Sequence, residues 1–416
     1  MDVVVIGAGQ AGLAVSYLLT QNHIQHMVLE RGRIGDSWRA QRWDSFYLNT
    51  PNWSNNLPGM EFDPDAPDAF GHRDQIVSYL ERYAKSFDAP VRESSEVTAL
   101  ERLYTGEYRL CVGDESFETR AAVIASGSMN RPRIPSLARN LPGDVTSLTA
   151  GTYRNANELP EGAVLIVGSA QSGCQIAEDL VAAGRRVYLC ASRVGRIPRT
   201  YRGRDILAWW RDMGFWDVRL EELEDPAMQF IALPQVSGVD GGHTVSFQSL
   251  ARDGVTLLGR LLNIDGYNLN LKTDLMETIQ FADEKSSAFK LAIDDFIRRE
   301  GISAPPPEPD PGEPALPDLS GSELLDQLDL RKMGISSVIW CTGFDADWDW
   351  LRAGEFNEQH QPKHHYGIGS VPGLYFIGFP WLSKRKSGTL YGITEDAGRV
   401  VDHIRDYLGL SKSMIT

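Results

Sequence analysis

Two glycine-rich loops, each following an apolar run and leading into a helix-compatible stretch, constrain this 416-residue chain more than any other feature. Val3-Val4-Val5-Ile6 is four consecutive apolar residues, the pattern of a strand buried on both faces. Gly7-Ala8-Gly9-Gln10-Ala11-Gly12 follows, then a helical run from Leu13 to Leu19 and a second strand, His26-Met27-Val28-Leu29, ending at Glu30. Strand, glycine turn, helix and strand make a βαβ unit and so a parallel sheet. About 160 residues later the grammar repeats: strand Ala163–Val167, loop Gly168-Ser169-Ala170-Gln171-Ser172-Gly173, helix Cys174–Leu180, strand Arg186–Cys190. Two such units predict an α/β chain with two Rossmann-like dinucleotide-binding domains. The alternative is that the glycines only let a helix pack tightly on a sheet.

The first loop has a separate task for each glycine: a tight turn at Gly7, close backbone approach to a pyrophosphate at Gly9, and helix-on-sheet packing at Gly12. The helix N-terminus behind it offers free N–H groups and a positive dipole end. Glu30, eighteen residues after Gly12, is placed to accept ribose hydroxyls. In the second loop Ala170 replaces the middle glycine, and the same count from Gly173 reaches Ala191, followed by Ser192 and Arg193. A guanidinium where an acid is missing suits a 2′-phosphate. The pair therefore reads as one site for an adenosine diphosphate with a free ribose and one for NADP. The competing reading makes Arg193, Arg196, Arg199, Arg202 and Arg204 a solvated basic face.

Composition narrows the class. With 41 Lys+Arg against 56 Asp+Glu the formal net charge is −15, which disfavours nucleic acid and anionic membrane as partners. No apolar stretch approaches the ~18 residues of a membrane span, and with strand-like residues from Asp2 onward no secretory signal is expected. The four cysteines (Cys111, Cys174, Cys190, Cys341) include no CxxC pair, which fits a reducing, cytoplasmic setting. The Trp- and charge-rich stretch from about Tyr201 to Lys290 reads as a mostly helical insertion, and Ala304–Pro317, with Pro305-Pro306-Pro307, as an exposed loop. Ser337–Cys341 and Gly373–Gly378 read as buried strands returning to the first sheet. The expected division is 1–155 and 331–416 for one domain, with 156–330 inserted in it. His360, His364 and His365 lack a carboxylate or Cys at ligand spacing, so no metal is expected. Trp209, Trp210 and Trp216 suit a core or a homodimer interface, and Cys174 is read as packing.

Across nearly its whole length the sequence resembles the flavin-containing monooxygenases, class B flavoproteins with paired FAD and NADPH domains, in a divergent bacterial-type branch. Gly7–Gly12 with Glu30 resembles the FAD loop. Gly35-Asp36-Ser37-Trp38-Arg39 is similar to the family's Gly-x-x-Trp segment beside the isoalloxazine, and Leu48-Asn49-Thr50-Pro51 resembles the stretch whose asparagine faces the flavin. Ala125-Ser126-Gly127 and Cys341-Thr342-Gly343-Phe344 are similar to the linker motif and its second copy. Gly373–Gly378 through Gly388 and Asp396-Ala397 resembles the element that closes over the flavin. The resemblance implies FAD contacts from Gln10, Ala11, Arg31, Gly35, Thr50, Val97, Gly378, Leu390 and Ile393 besides those motifs. It implies NADPH contacts from Gly168, Ser169, Gln171, Ser172, Gly173, Ser192, Arg193, Thr342 and Gly343. Asn49 is the implied catalytic residue, holding the nicotinamide amide and the flavin C4a-hydroperoxide, and Gly392-Ile393-Thr394 would offer N–H groups to the pyrimidine end of reduced flavin. Thr149 stands at the family's fingerprint histidine, with a longer spacer after Gly143. The implied reaction is oxygenation of a small molecule by O2, at nitrogen or sulfur. Baeyer–Villiger or decarboxylating oxygenation, an NADPH reductase without oxygen transfer, and a non-catalytic FAD sensor stay open.

Overall fold

The computed structural model describes residues 1–313 and 325–410. Both β-strands of the first βαβ unit form where expected, Val3–Ile6 and His26–Leu29, joined by the helix Gln10–Gln21. They lie in a seven-stranded sheet whose spatial order is His364–His365, Ile368–Gly369, Leu374–Phe376, Ala121–Ile124, Val3–Ile6, His26–Leu29, Val91–Arg92. Pairing is parallel except at the first two strands of that order. The apolar runs are continuous because both faces are covered. Val3, Val5, Val28 and Val123 point to helices Gln10–Gln21 and Leu390–Tyr407, whereas Val4, Ile6, Leu29, Ala122 and Ile124 point to the antiparallel meander Val97–Arg102, Tyr108–Val112, Glu115–Thr119.

A second, all-parallel sheet repeats that plan in the order Thr146–Thr149, Ile335–Trp340, Ala163–Val167, Val187–Cys190, Thr256–Leu258. One face packs on helices Gln171–Ala182 and Leu275–Glu300, the other on the meander Leu261–Asp265, Asn268–Leu271, Gln327–Asp329. Two expectations are corrected by this sheet. The strand containing Ser337 does not return to the first sheet. It is the second unit's counterpart of Ala121–Ile124, and Thr146–Thr149 also belongs here although it lies before residue 156. The reason is steric: Gly168 must turn against a neighbouring strand end, and the carbonyl of Cys341 fills that place as the carbonyl of Ala125 does for Gly7.

The stretch read as mostly helical is mixed. It holds helices Ile206–Asp212, Phe247–Arg252 and Leu275–Glu300, short 3-10 turns, the strand Thr256–Leu258 and a β-hairpin. Trp209, Trp210 and Trp216 are buried with Ile293 and Phe296 in a core of its own. The Pro-rich segment is exposed only in part, since Asp310 is buried against Arg196; its residues 314–317 lie outside the described residues. The units are joined by two passes of chain, Arg131–Pro132 paired antiparallel with Phe344–Asp345.

Candidate functional site

A cavity of about 370 Å³ opens at the carboxyl ends of the first sheet's central strands, where ligands of open α/β sheets bind. Its floor is the first glycine loop. Gly7 adopts φ +107°, and a Cβ there would lie 2.5 Å from the Ala125 carbonyl oxygen; a Cβ on Gly12 would lie 1.8 Å from the Gly7 oxygen. Gly9 is different: no atom lies within 4 Å of a Cβ built on it, so the backbone there faces open space at the helix N-terminus. The buried Glu30 carboxylate accepts the Ala8 N–H at 2.6 Å and the Gly32 N–H at 2.9 Å. It is thereby fixed beside the loop.

Three further elements close the cavity. Trp38, on the short helix Asp36–Ala40, donates its indole N–H to Gln10 Oε1 at 3.1 Å. Asn49 and Thr50 stand on the strand Tyr47–Pro51 rather than in a turn. That strand end is pinned by Asn55, whose amide donates to the Thr50 and Pro51 carbonyls at 3.1 Å each and accepts the Thr50 hydroxyl at 2.8 Å. The helix Leu390–Tyr407 points its N-terminus inward, with Thr389 capping the Gly392 N–H. This corrects the expectation for Gly392-Ile393-Thr394: the open N–H groups are those at Leu390 and Tyr391, because the helix starts earlier.

Sixteen of the expected cofactor or catalytic residues line this one cavity: Gly7, Gly9, Gln10, Ala11, Glu30, Arg31, Ser37, Trp38, Asn49, Thr50, Val97, Ala125, Ser126, Gly127, Gly378 and Leu390. Four do not. Gly12 packs the helix against the loop, and Gly35 takes a left-handed conformation (φ +71°) to start the Trp38 helix. Arg39 turns away to Glu81 at 2.5 Å, and Ile393 is fully buried beneath the helix. Ser126 leaves a mark of its own: its hydroxyl oxygen is buried without a partner.

The second loop gathers Gly168, Ser169, Gln171, Ser172, Gly173 and Ser192 at the end of the Ala163–Val167 strand, with the geometry of the first. A Cβ on Gly173 would lie 1.9 Å from the Gly168 oxygen. Ser169 and Ser192 hold each other, the Ser192 N–H donating to Ser169 Oγ at 2.8 Å. Thr342 and Gly343 serve the crossover instead, bonding to the Arg133 backbone. Of the five arginines from 193 to 204, four are ion-paired: Arg196 with Asp283 and Asp310, Arg199 with Asp205, Arg202 with Asp294, Arg204 with Asp212. The solvated-face reading fails for these. Arg193 alone of the five has no carboxylate partner among the described residues; it is exposed and lies 4.5 Å over the Phe281 ring.

Other groups find structural roles. Burial pushes the Cys174 thiol well up, against activation at its helix N-terminus. Lys384 and Lys386 both bridge Asp217 and Glu395. Thr149 is buried at a strand end near Thr152. Among the described residues no group of three or more His, Cys, Asp or Glu could hold a metal, and no helix is long and apolar enough to cross a membrane. Asn55, Arg42 and Tyr391 were not foreseen as cavity residues. Arg42 and Asn55 lie a few residues outside the recognisable motifs and Tyr391 lies within the C-terminal one, and the folded chain brings all three to the cavity.

Residues 4–208 match the family model described as pyridine nucleotide-disulphide oxidoreductase. An oxidoreductase called CzcO-like from Geobacillus kaustophilus is 29% identical, covering 98% of this chain and 99% of its own. A probable indole-3-pyruvate monooxygenase, YUCCA3 of Arabidopsis thaliana, is 26% identical over 96% of this chain and 86% of its own. Among solved structures, a flavin-containing monooxygenase from Stenotrophomonas maltophilia superposes with a TM-score of 0.67, at 18% identity and 98% coverage of both chains.

Proposed function

We propose that the chain is an FAD- and NADPH-dependent monooxygenase of a small molecule, a reading supported by its likeness to monooxygenase relatives and to a flavin-containing monooxygenase fold. The observation that carries the proposal is the convergence, in one cavity, of the first glycine loop, Glu30, Asn49 and the Leu390–Tyr407 N-terminus. The residues present fit FAD. Open space at Gly9 admits a pyrophosphate to the helix N–H groups, Glu30 meets a ribose, and the partnerless Ser126 hydroxyl awaits a polar ligand. The second loop, with Ser192 and the exposed Arg193, fits NADPH.

Bound FAD would supply the redox chemistry, accepting hydride from NADPH and activating O2. The chain supplies position and exclusion. The Asn49 amide, held on a strand braced by Asn55, would orient the nicotinamide and the reacting oxygen. N–H groups of Leu390 and Tyr391 would stabilise negative charge at the ring system facing them. Trp38, Trp350 and Tyr391 line the site, and behind it Tyr391 packs edge-on against Trp53 at 5.7 Å and Trp216 at 6.2 Å. Water excluded there cannot divert oxygen into peroxide. The net reaction consumes substrate, O2, NADPH and a proton, and yields oxygenated product, NADP and water. Nitrogen or sulfur is the favoured target. An oxo-acid of the kind named in the YUCCA relative is the second class to test.

The test is a panel of amines, sulfides, ketones and oxo-acids under labelled O2. One labelled oxygen per NADPH in a product supports the proposal. NADPH oxidation yielding only peroxide with every compound favours a reductase, and failure of NADPH to bleach the flavin favours a sensor. The dithiol form of a reductase is disfavoured already by the thiols: Cys174, Cys190 and Cys341 are buried, free, and pushed up by burial.

A further inference from the structure

Among the described residues the buried arginines, Arg196 and Arg199, are paired with carboxylates, whereas the half-buried Arg42 is not. Arg196 is held by Asp283 at 2.5 Å and Asp310 at 2.8 Å, and Arg199 by Asp205. Arg42 lines the cavity at the first glycine loop, yet among the described residues no carboxylate forms an ion pair with it. Its guanidinium lies between aromatic rings, 5.3 Å from the Trp38 centroid and 5.4 Å from that of Phe46. Nη1 donates to the Gln41 carbonyl at 2.9 Å, and Nη2 meets only the Met129 thioether sulfur at 3.3 Å. A thioether is a weak acceptor, so most of the fork's donor capacity is unspent.

The surroundings add positive charge, and none of the carboxylates lining the cavity, Glu30, Asp36, Glu96 and Asp347, forms an ion pair with Arg42. The Arg42 carbonyl receives Arg73 at 3.2 Å and Arg154 at 3.4 Å. Asp44, close by in sequence, is committed to Arg73 at 2.9 Å and Asn155 at 2.7 Å. Desolvation pulls the Arg42 pKa down to about 10. A cation partly removed from water without a counter-ion is stabilised by a ligand that supplies one. A second group points the same way: Ser126, on the segment that carries Met129, also lines the cavity with its hydroxyl oxygen buried and partnerless.

The position says where a ligand would enter. Trp38 packs against the first unit's core, while Trp43, beside Arg42, is buried in the second unit's core, and Phe46 touches both. Arg42 therefore stands at the seam between the two units. We propose that Arg42, assisted by the Ser126 hydroxyl, is the receptor for an oxyanion, a carboxylate or a phosphate, that enters the cavity at this seam. A planar fork with free parallel N–H groups binds either bidentately. The flavoprotein assignment enters only in naming the phosphate source as FAD or NADPH; a carboxylate would come from the substrate.

The experiment uses binding, so it reports even if no substrate is ever oxygenated. FAD-loaded wild type, Arg42→Gln and Arg42→Lys are compared for FAD retention, for NADP affinity by calorimetry, and for perturbation of flavin absorbance by benzoate and by its neutral counterpart benzamide. Lys keeps the charge and loses the fork, and guards against a Gln variant that folds poorly. Expected for Gln is a loss of ten-fold or more in one anion's affinity, smaller for Lys, with benzamide unmoved. Weakened FAD or NADP binding assigns the phosphate; a lost benzoate response with dinucleotide binding intact assigns the carboxylate. Affinities for FAD, NADP and benzoate all within two-fold of wild type in both variants overturn the proposal.

Discussion

Arg193 and Arg42 are both arginines without a carboxylate partner among the described residues, yet only one was legible in the sequence. Arg193 is fixed by counting from a glycine loop, because loop, helix and strand lengths in a βαβ unit are nearly invariant in geometry. Arg42 sits in a short connection whose path depends on tertiary packing, and its isolation from carboxylates is a property of the folded surroundings. The Arg193 reading has a clean check, because NADPH and NADH differ by the 2′-phosphate alone. A charge-assisted contact of about 1.5–3 kcal/mol corresponds to roughly ten- to hundred-fold in affinity. Arg193→Ala is expected to raise the NADPH dissociation constant by that factor, leave the NADH constant within two-fold, and leave FAD bound. Equal losses for both nucleotides would show that Arg193 supports the fold rather than the phosphate.

At the scale of elements, strands and glycine turns were readable and the connection across the second loop was not. Residues 235–243 lie over that loop without helix or strand periodicity. Their order comes from side-chain bonds: Gln171 exchanges hydrogen bonds with the Val236 backbone, Gln235 reaches the Ser169 carbonyl, and His243 Nε2 meets Glu178 Oε1 at 2.8 Å. Gly238 is required there, since a Cβ would lie 1.8 Å from the Leu48 oxygen. Hydrogen bonding to Glu178 raises the His243 pKa above its ordinary value of 6.5, against an opposing desolvation. A His raised in the folded state contributes stability that is fully present below pH ~6.5 and is lost as pH rises through the folded value. His243→Gln should therefore lower the thermal midpoint more at pH 6 than at pH 8.5. A decrement of equal size at both pH values would mean that the charge of His243 is not what holds the segment.

At the scale of the molecule, the duplication itself was visible, but the division of late strands was not. Ser337–Cys341 and Gly373–Gly378 are both short apolar runs, and nothing in an apolar run states which of two similar sheets it completes. What binds the two units was equally hidden, because its central residue looked like one of a basic series. Arg199, in the second unit, is buried. Its Nε donates to Asp205 at 2.8 Å, its Nη1 to the Asn49 carbonyl at 2.8 Å, and its guanidinium lies 4.5 Å over the Phe70 ring. One side chain thus ties the second unit to the strand that carries Asn49; desolvation lowers its pKa, and the Asp205 carboxylate opposes that. Removing one partner of a buried pair leaves the other uncompensated, at about 3–5 kcal/mol, whereas removing both together costs far less. Arg199→Met is expected to destabilise by that amount in denaturant unfolding, and Arg199→Met with Asp205→Leu to recover most of it. The double variant still lacks the tie to Asn49, so NADPH reduction of the bound flavin should stay slowed although stability returns. Recovery of stability and reduction rate together would show that Arg199 serves the second unit alone; a slow rate in a stable protein places the coupling between the units in this residue.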